Sequence, residues 1–305
     1  MARFLVRRVA QSLVTLFAVS VFAFGMIHLV PGDPVSIALG TNATPQAVKN
    51  LRHAWGLDRP LAVQYGDFVG HALHGDFGTS IRSEQPVMSE IGQRLGSTVA
   101  LAFAATVVSV PLGLVLGVLA GVARRRIVDV GVMGVALLGL SMPTFWSGTL
   151  LILLFGLTLG LLPVAGDNGF AALVLPAITL ALPAAAVLAR LTRGSMLEVV
   201  RQDYVRTAWA KGLGRFSVVF RHALPNAVVP VITIMGLQIG TLLSGTVIVE
   251  SVFARPGIGR LAVQAIEERD FPLVQGVVLL AGVVFVLVNL VTDLVYPLVD
   301  PRIRL

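Results

Sequence analysis

Residues 203–225 read DYVRTAWAKGLGRFSVVFRHALP. This short basic stretch lies between two long apolar runs, so we expect a loop at a membrane surface. Gly212-Leu213-Gly214 is predicted to end a helix, and Leu224-Pro225 to begin the next apolar segment, since proline is tolerated in a first helical turn. Small residues that would let a docked helix approach a partner closely are Ala208, Ala210 and Gly212. The stretch therefore predicts a contact site for another protein, in a membrane subunit driven from outside itself.

Composition places the chain in a membrane. Hydrophobic residues make up 56% of its 305 residues and charged residues only 13%, and the mean hydropathy is +0.87. A soluble chain of this length would need a more charged surface. Because the chain has no cysteine, disulfides, thiol nucleophiles and thiolate metal sites are excluded.

Six segments are apolar over about 20 residues or more, the length needed to cross a bilayer. They are residues 9–30, 97–122, 130–159, 171–190, 226–249 and 273–298. Backbone polar groups in hydrocarbon must be satisfied within the segment, so spans of this kind are helices and not barrel strands. We therefore predict an all-α integral membrane protein with six transmembrane helices, the third of which bends at Pro143.

If the N-terminus is placed in the cytoplasm, the segments on the cytoplasmic side have a higher density of Lys and Arg than the segments on the outer side. This bias predicts that both termini are cytoplasmic. Nucleic-acid binding is the rival explanation of the isoelectric point near 10.9. It is disfavoured because the basic residues are divided among membrane-flanking segments and do not form one face.

Two predicted extracytoplasmic segments are longer than simple connectors. We divide the chain into residues 1–95, a first membrane helix with a long loop over 31–95, and residues 96–305, a five-helix core with a cytoplasmic loop at about 195–225. The long loop contains helix-like stretches. The segment 250–272 predicts a turn at Pro256-Gly257 and an amphipathic helix from about Arg260 to Glu268. Ordered loops of this length are usually functional; the alternative is a cap over helix ends.

Glycine pairs spaced four residues apart predict close helix packing. They are Gly113, Gly117 and Gly121, then Gly156 with Gly160, and Gly236 with Gly240. Polar residues within the spans are few. Ser141, Gln238 and Ser244 are candidates to line a pathway, although each is also a common packing residue. Asp293, beside Tyr296 and Arg302, is predicted to be an anchor paired to a cytoplasmic arginine rather than a proton relay.

The motifs of enzyme chemistry are missing from the sequence. No GxxxxGK[ST] loop is present, so ATP is not bound by that route. GIGRLA at 257–262 fits a dinucleotide pattern but no strand precedes it. His71, His74 and Asp76 are expected to be solvated and not metal ligands. We predict no catalytic residue and no metal site.

The loop resembles the EAA signature of binding-protein-dependent ABC importer permeases, EAA-x3-G-x9-I-x-L-P. Arg206-Thr207-Ala208, Gly212, His222 and Leu224-Pro225 occupy its positions with matching spacing. Arg-Thr and His, which replace Glu-Ala and Ile, look like the variant of the peptide and nickel branch. Further stretches similar to that branch are PGDP at 31–34, GLDRPL-x2-QY at 56–65, GDFGTS at 75–80, VE-x-VF-x2-PGIG at 249–259 and D-x2-Y-x3-DPR at 293–302. The resemblance covers essentially the whole chain and is closest to the DppB/OppB type.

This resemblance implies a type I (MetI-like) permease fold in the cytoplasmic (inner) membrane of a prokaryote. It implies a heterodimer with a second homologous permease subunit, two ABC ATPase domains that carry the ATP and magnesium, and an extracytoplasmic binding protein that delivers di- or oligopeptides. No cofactor is expected in this chain. Nickel complexes or other small solutes are the alternative cargo. A secondary transporter and an intramembrane enzyme are the rival classes.

The resemblance also implies roles for individual residues. The residues expected to couple to the ATPase are Asp203, Tyr204, Arg206, Thr207, Ala208, Ala210, Lys211, Gly212, Leu224 and Pro225. The residues expected to contact the binding protein are Asp76, Pro256, Gly257 and Gly259. Within the coupling helix, Ala208 and Gly212 would let the ATPase surface approach.

Overall fold

The computed structural model describes residues 2–29, 33–40, 44–123 and 125–299. Parts of two stretches quoted above, Pro31-Gly32 and the ending 300–302, lie outside these ranges, as does the side chain of Tyr296. The described residues are mostly helical, and their only strand-like pairing is a bridge between Thr79 and Pro86. They form two compact units, Met1–Gly96 with Gly257–Leu290, and Ser97–Pro256 with Val291–Leu305.

Four of the described helices are long and apolar enough to cross a membrane, and the number rises to six if each of two bent helix pairs is one span. The four are Val6–His28, Val87–Gly121, Ala171–Val199 and Phe271–Asp293. The bent pairs are Arg126–Ser141 with Thr144–Thr158, and Arg215–Ala227 with Val229–Gly236. The predicted all-α membrane fold is therefore confirmed.

The predicted bend at Pro143 is also confirmed. Helix α6 (Arg126–Ser141) ends two residues before Pro143, and α7 (Thr144–Leu151) begins directly after it. The pair is bent by 105°, because proline removes a backbone donor and forces the preceding residue out of the helical region. A π-helix at Ile152–Thr158 continues α7.

The first unit contains the long predicted loop, and this loop is folded. After α1 (Ala2–Leu29) it forms α2 (Pro34–Leu39), α3 (Pro45–Ala54) and α4 (Leu61–Leu73) before α5 (Val87–Gly121) begins. The side chains of Asp33 and Thr44 cap α2 and α3 by accepting hydrogen bonds from the amides of Ser36 and Ala47. The expectation of helical pieces in this loop is confirmed.

Helix α4 is attached to α1 by polar and aromatic contacts. Ser20 Oγ and Tyr65 Oη are hydrogen-bonded at 2.8 Å. The Phe24 ring lies 5.4 Å from the ring of Tyr65 and 5.8 Å from that of Phe68. Further along the chain this unit adds α13 (Ile258–Glu267), close to the predicted amphipathic helix, and the part of α14 (Phe271–Val299) up to Leu290. Its buried core joins α5, α13 and α14 through Val87, Ile91, Leu261, Ala265, Leu273, Val274 and Val277.

The second unit is built around α8 (Ala171–Val199), which packs against α6, α7 and α12 (Val229–Val252). Buried residues of α8 include Leu175, Leu180 and Leu188 among many alanines. Between α8 and α12 lie α9 (Asp203–Ala210), α10 (Arg215–Ser217), a π-helix (Val218–Ala223) and α11 (Leu224–Ala227). These short elements contain the basic stretch 203–225 and connect α8 to α12.

Glycines of α5 form a close contact with α8. A β-carbon at Gly113 would lie 2.6 Å from Cβ of Leu188, and one at Gly121 would lie 2.6 Å from Cβ of Met196. A β-carbon at Gly117 would run into Thr192 and lie 2.6 Å from the carbonyl oxygen of Ala189. The predicted packing role of these three glycines is confirmed, because no larger residue fits at this helix separation.

The pair Gly156 and Gly160 does not form a helix-packing ladder. A β-carbon at Gly156 would meet Val164, in the segment that follows, whereas Gly160 has open space around it and a φ of +62°. Gly160 ends the helix, since glycine adopts this left-handed conformation at little cost. Gly236 fits the expectation better, because a β-carbon there would meet the side chain of Thr292.

We predict that Gly117→Ala lowers the stability of the protein by about 1–3 kcal/mol, the usual cost of overpacking. The control is Gly96→Ala, at an α5 position with nothing within 4 Å of an added β-carbon. There the alanine should be neutral or stabilising by up to about 1 kcal/mol. Thermal unfolding of the two variants in the same detergent distinguishes them, and equal melting temperatures would contradict the packing argument.

Candidate functional site

The predicted contact helix is present as α9 and ends where the sequence indicates. Asp203 lies in its first turn, where a carboxylate stabilises the helix N-terminus. The amide of Lys211 donates to the Thr207 carbonyl at 3.0 Å and that of Gly212 to the Trp209 carbonyl at 2.9 Å. Gly212 has a φ of +75°, a conformation that favours glycine after a helix.

The two faces of α9 differ sharply in burial. Val205 and Ala208 are buried and pack against Val218 and Val199. Of the other predicted coupling residues, Leu224 is half-buried. The remaining ones are exposed: Asp203, Tyr204, Arg206, Thr207, Ala210, Lys211, Gly212 and Pro225. Ala208 lies on the inner face with Val205 because of the three-residue spacing. Its small side chain lets α9 lie close to Val218 and Val199 of its own chain.

Two side-chain hydrogen bonds connect this region to neighbouring elements. Asn226 Nδ2 donates to Tyr204 Oη at 2.9 Å, which ties α9 to α11. Arg215 Nη2 donates to the Val122 carbonyl at 2.6 Å, just beyond the end of α5. Carbonyls at a helix C-terminus lack intrahelical partners and favour a cation. Sequence reasoning missed both contacts, since neither Arg215 nor Asn226 carries a local signal of its distant partner.

A second set of polar contacts fixes the segment that contains GDFGTS in the first unit. Asp270 is buried and accepts hydrogen bonds from Ser80 Oγ at 2.5 Å and from the amide of Arg82 at 3.3 Å. It also caps α14 by accepting from the amide of Leu273 at 3.3 Å. Residues 82–86 are exposed. The segment is therefore fixed by the contacts with Asp270, and its tip, residues 82–86, is exposed.

A cavity of about 660 Å³ lies beside this segment, and its lining includes His71, Asp76, Ser80, Glu84 and Gln275. Among the predicted binding-protein contacts, Asp76 is exposed and shapes the turn by accepting from the Gly78 amide at 2.9 Å. In the described ranges no three His, Asp or Glu side chains are grouped as a metal site would need.

The burial of the other predicted contact residues is mixed. Pro256 is exposed, whereas Gly257 and Gly259 are buried. Gly257 is the N-cap residue of α13, a position that glycine favours, and Gly259 is buried in the first turn of this helix. The quoted motif VE-x-VF-x2-PGIG therefore contributes more to internal packing than to contact.

Charged groups are buried near the end of α12 in the second unit. Glu250 is fully buried and accepts a hydrogen bond from Thr98 Oγ1 at 2.6 Å. Arg255 is only 4% exposed. Burial lowers the pKa of its guanidinium, and the negative charges of Asp167 and Glu250 partly offset this effect. The nearby carboxylates compensate a cation that would otherwise be costly to bury.

A polar stripe runs along α12. Gln238 and Thr241 are joined by a hydrogen bond of 2.9 Å from Thr241 Oγ1 to Gln238 Oε1, and Ser244 Oγ donates to the Thr241 carbonyl at 2.8 Å. The three-residue spacing puts all three on one face. Thr241 was missed in the sequence, although its spacing from Gln238 and Ser244 could have revealed it. Ser141 is exposed at the end of α6, a different element.

Both parts of the chain match one family. Residues 113–305 match the binding-protein-dependent transport system inner membrane component, and residues 1–102 match the N-terminal part of such membrane components. The chain belongs to this permease family. It is a multi-pass protein of the inner membrane and a membrane subunit of an ABC transporter, of the DppB/OppB type that the sequence predicted.

Relatives of similar length support the assignment. The permease is 42% identical over 312 residues to a Brucella abortus (strain 2308) protein named as a peptide transport system permease, covering 100% of this chain and 99% of the relative. It is 42% identical over 304 residues, with the same coverage, to the glutathione transport system permease protein GsiC of Escherichia coli (strain K12).

Solved structures confirm the fold. The permease matches the MetNI methionine ABC transporter in an inward-facing conformation with a TM-score of 0.55 at 21% identity, over 70% of this chain and 97% of that chain. It matches an amino acid ABC transporter with a TM-score of 0.53 at 17% identity, over 68% of this chain and 92% of that chain. The predicted MetI-like permease fold is thus confirmed.

We predict that Arg215→Gln and Tyr204→Phe loosen α9. Each removes a hydrogen bond with a net value of about 0.5–1.5 kcal/mol, or more for the charged donor. Amide hydrogen exchange across 203–215 should therefore accelerate by about five- to tenfold, the factor that corresponds to roughly 1 kcal/mol of local stability. The control is Arg206→Gln, whose 3.6 Å contact with Asp203 is highly exposed and should leave the exchange unchanged. Equal exchange in all three variants would show that the two hydrogen bonds do not hold the helix.

Proposed function

We propose that this permease imports di- or oligopeptides as one subunit of an ATP-driven importer. An extracytoplasmic binding protein delivers the peptide, and ATPase subunits drive the permease through the 203–225 loop. The names of the Brucella and Escherichia relatives support a peptide-like cargo. A nickel complex or another small solute is the second candidate cargo, because the resemblance extends to the branch that carries nickel.

The exposed face of α9 is the observation that carries the coupling proposal. Tyr204 and Trp209 are 43% and 41% exposed, and Arg206 and Lys211 are exposed beside them. Aromatic and arginine side chains are enriched where proteins bind one another. An aromatic surface of this kind, on a helix fixed by its buried face, suits a rigid contact with an ATPase domain.

The contacts behind α9 supply the route for motion. A displacement of α9 is transmitted to α8 through the packing of Val205 and Ala208 on Val199. It is transmitted to α11 through the Tyr204–Asn226 hydrogen bond. The hydrogen bond of Arg215 to Val122 transmits it to the end of α5. We propose that ATPase closure moves these three membrane elements together. Because the chain lacks a phosphate-binding loop, ATP and magnesium are assigned to the partner chains, and this subunit is assigned no catalytic residue.

The polar face of α12 is proposed to line the pathway. Gln238 and Ser244 offer amide and hydroxyl groups that can replace water around a peptide backbone, and Thr241 extends the same face. A second, related permease subunit would complete the pathway. In the first unit, the exposed tip at 82–86 with Asp76 is proposed as surface for the binding protein. Pro256, in the second unit, is proposed separately as a contact.

We predict that Gly212→Leu abolishes transport while the protein still inserts into the membrane at normal abundance. An added β-carbon at Gly212 meets nothing within 4 Å, so the effect comes from the backbone. A φ of +75° costs an ordinary residue about 1–2 kcal/mol, and relaxing it redirects the end of α9. The measurement is uptake of a labelled dipeptide by cells. Wild-type uptake by the Gly212→Leu variant at normal abundance would contradict this proposal.

Two variants make the Gly212 test specific. Gly212→Asn should retain most transport, because asparagine tolerates the left-handed region. Gly214→Ala should also retain it, since Gly214 has a φ of −63° and open space around it. Loss of transport in all three variants alike would show that the loop tolerates no added side chain, and would contradict the backbone explanation.

The cargo and the driving force are tested together on the purified complex. We predict that the permease co-purifies in mild detergent with a second permease and P-loop ATPases. ATP hydrolysis by the reconstituted complex should rise several-fold with peptide-loaded binding protein, and not with the binding protein supplied with nickel alone. If the chain purifies alone and still transports after reconstitution, the importer proposal is wrong and the protein is a secondary transporter. If nickel stimulates ATP hydrolysis, only the proposed peptide cargo is wrong.

A further inference from the structure

A groove of about 390 Å³ runs between α6 and α8 in the second unit, away from α9 and from the polar stripe of α12. One wall is a single face of α6 that includes Asp129, Met133, Leu137 and Leu140. The other wall is the face of α8 that carries Ala186, Arg190 and Arg193. The groove is apolar along most of its length and cationic at one end only.

The charge at that end is not balanced within the groove. Arg193 holds Asp129 through two hydrogen bonds, Nε to Oδ1 at 2.5 Å and Nη2 to Oδ2 at 2.6 Å. This paired geometry uses the carboxylate fully. Arg190 is exposed on the same face of α8, and within the described ranges it makes no ion pair. Arg125 and Arg126 are exposed at the start of α6, which adds positive charge near Asp129.

The length of the groove matches one leaflet of the bilayer. Asp129 and Leu140 are eleven residues apart on α6, or about 16 Å at the rise of an α-helix. Half of a hydrocarbon core of about 30 Å is roughly 15 Å. A ligand with an anionic group at one end and an apolar tail of one leaflet's length therefore fits both ends of the groove.

From this geometry we propose that the groove is a binding site for an anionic phospholipid. The headgroup phosphate binds Arg190, with Arg125 and Arg126 adding attraction, and one acyl chain lies along Met133, Gly134 and Leu137. Basic residues at the ends of membrane helices attract anionic headgroups. A protein helix in this place would bury Arg190 and would need to bring a carboxylate to it, whereas the lipid supplies phosphate and chain together. The proposal is independent of the cargo.

The test uses the intact transporter complex, purified in mild detergent and exchanged into nanodiscs that contain phosphatidylglycerol and phosphatidylethanolamine. Native mass spectrometry counts the lipids that remain bound. Arg190→Gln should lower phosphatidylglycerol retention about fivefold, the factor for one arginine near an anionic surface, and Arg190→Lys should largely preserve it. The matched control is Arg201→Gln, which removes an exposed arginine outside the groove.

Groove filling gives a second and independent readout. Gly134 lies in the groove and Gly131 on the same helix outside it, and both have open space around an added β-carbon. Gly134→Leu should displace the lipid, whereas Gly131→Leu should not, and both should fold because leucine favours a helix more than glycine does. Equal lipid retention in all variants, or equal retention of phosphatidylethanolamine and phosphatidylglycerol by the unaltered complex, would overturn the proposal.

Cysteine chemistry tests for a protein occupant. Because the chain has no native cysteine, Leu137→Cys introduces a single thiol into the groove. Crosslinking of this thiol to the partner permease in native membranes would overturn the lipid assignment. Absence of that crosslink, with labelling by a lipid-soluble maleimide that excess phosphatidylglycerol slows, is the result we expect.

Discussion

The close contact between α5 and α8 is the constraint on which the second unit depends. Lipid provides no hydrophobic drive for helices to associate, so the helices are held together by close packing. Gly113, Gly117 and Gly121 let the backbone of α5 approach Leu188, Thr192 and Met196 of α8 closely. Helix α8 then has its other faces available for α6, α7 and α12. Its small, alanine-rich surface is a consequence of serving as the common neighbour of four helices.

The position of α9 follows from that of α8. A helix of eight residues is too short to be stable in isolation, because nucleation is costly and few hydrogen bonds repay it. Its stability comes from the burial of Val205 and Ala208 against Val218 and from the hydrogen bonds at Tyr204 and Arg215. The outer face is therefore free to carry aromatic and charged groups without destabilising the helix.

Sequence patterns predicted the features that obey a local rule. Membrane spans follow from apolar length, the kink from Pro143, and the end of α9 from Gly212, since each reflects a constraint within a few residues. The contacts of Asp270 with Ser80 and of Arg215 with Val122 join residues 190 and 93 positions apart, and no local pattern encodes them. Ala208 shows the intermediate case. Its small size indicates close approach, but the sequence does not say which surface approaches.

Three carboxylates of the described helices have partners within the protein. Ion-coupled carriers need carboxylates in the membrane that can bind and release a cation. In the described helices, Asp129 is bound by Arg193, Glu90 by Arg94 at 2.9 Å, and Glu250 by the Thr98 hydroxyl. Each of these carboxylates has a hydrogen-bond or ion-pair partner within the fold. In the proposed mechanism the motion comes from an ATPase partner, and the exposed face of α9 is the surface proposed to receive it.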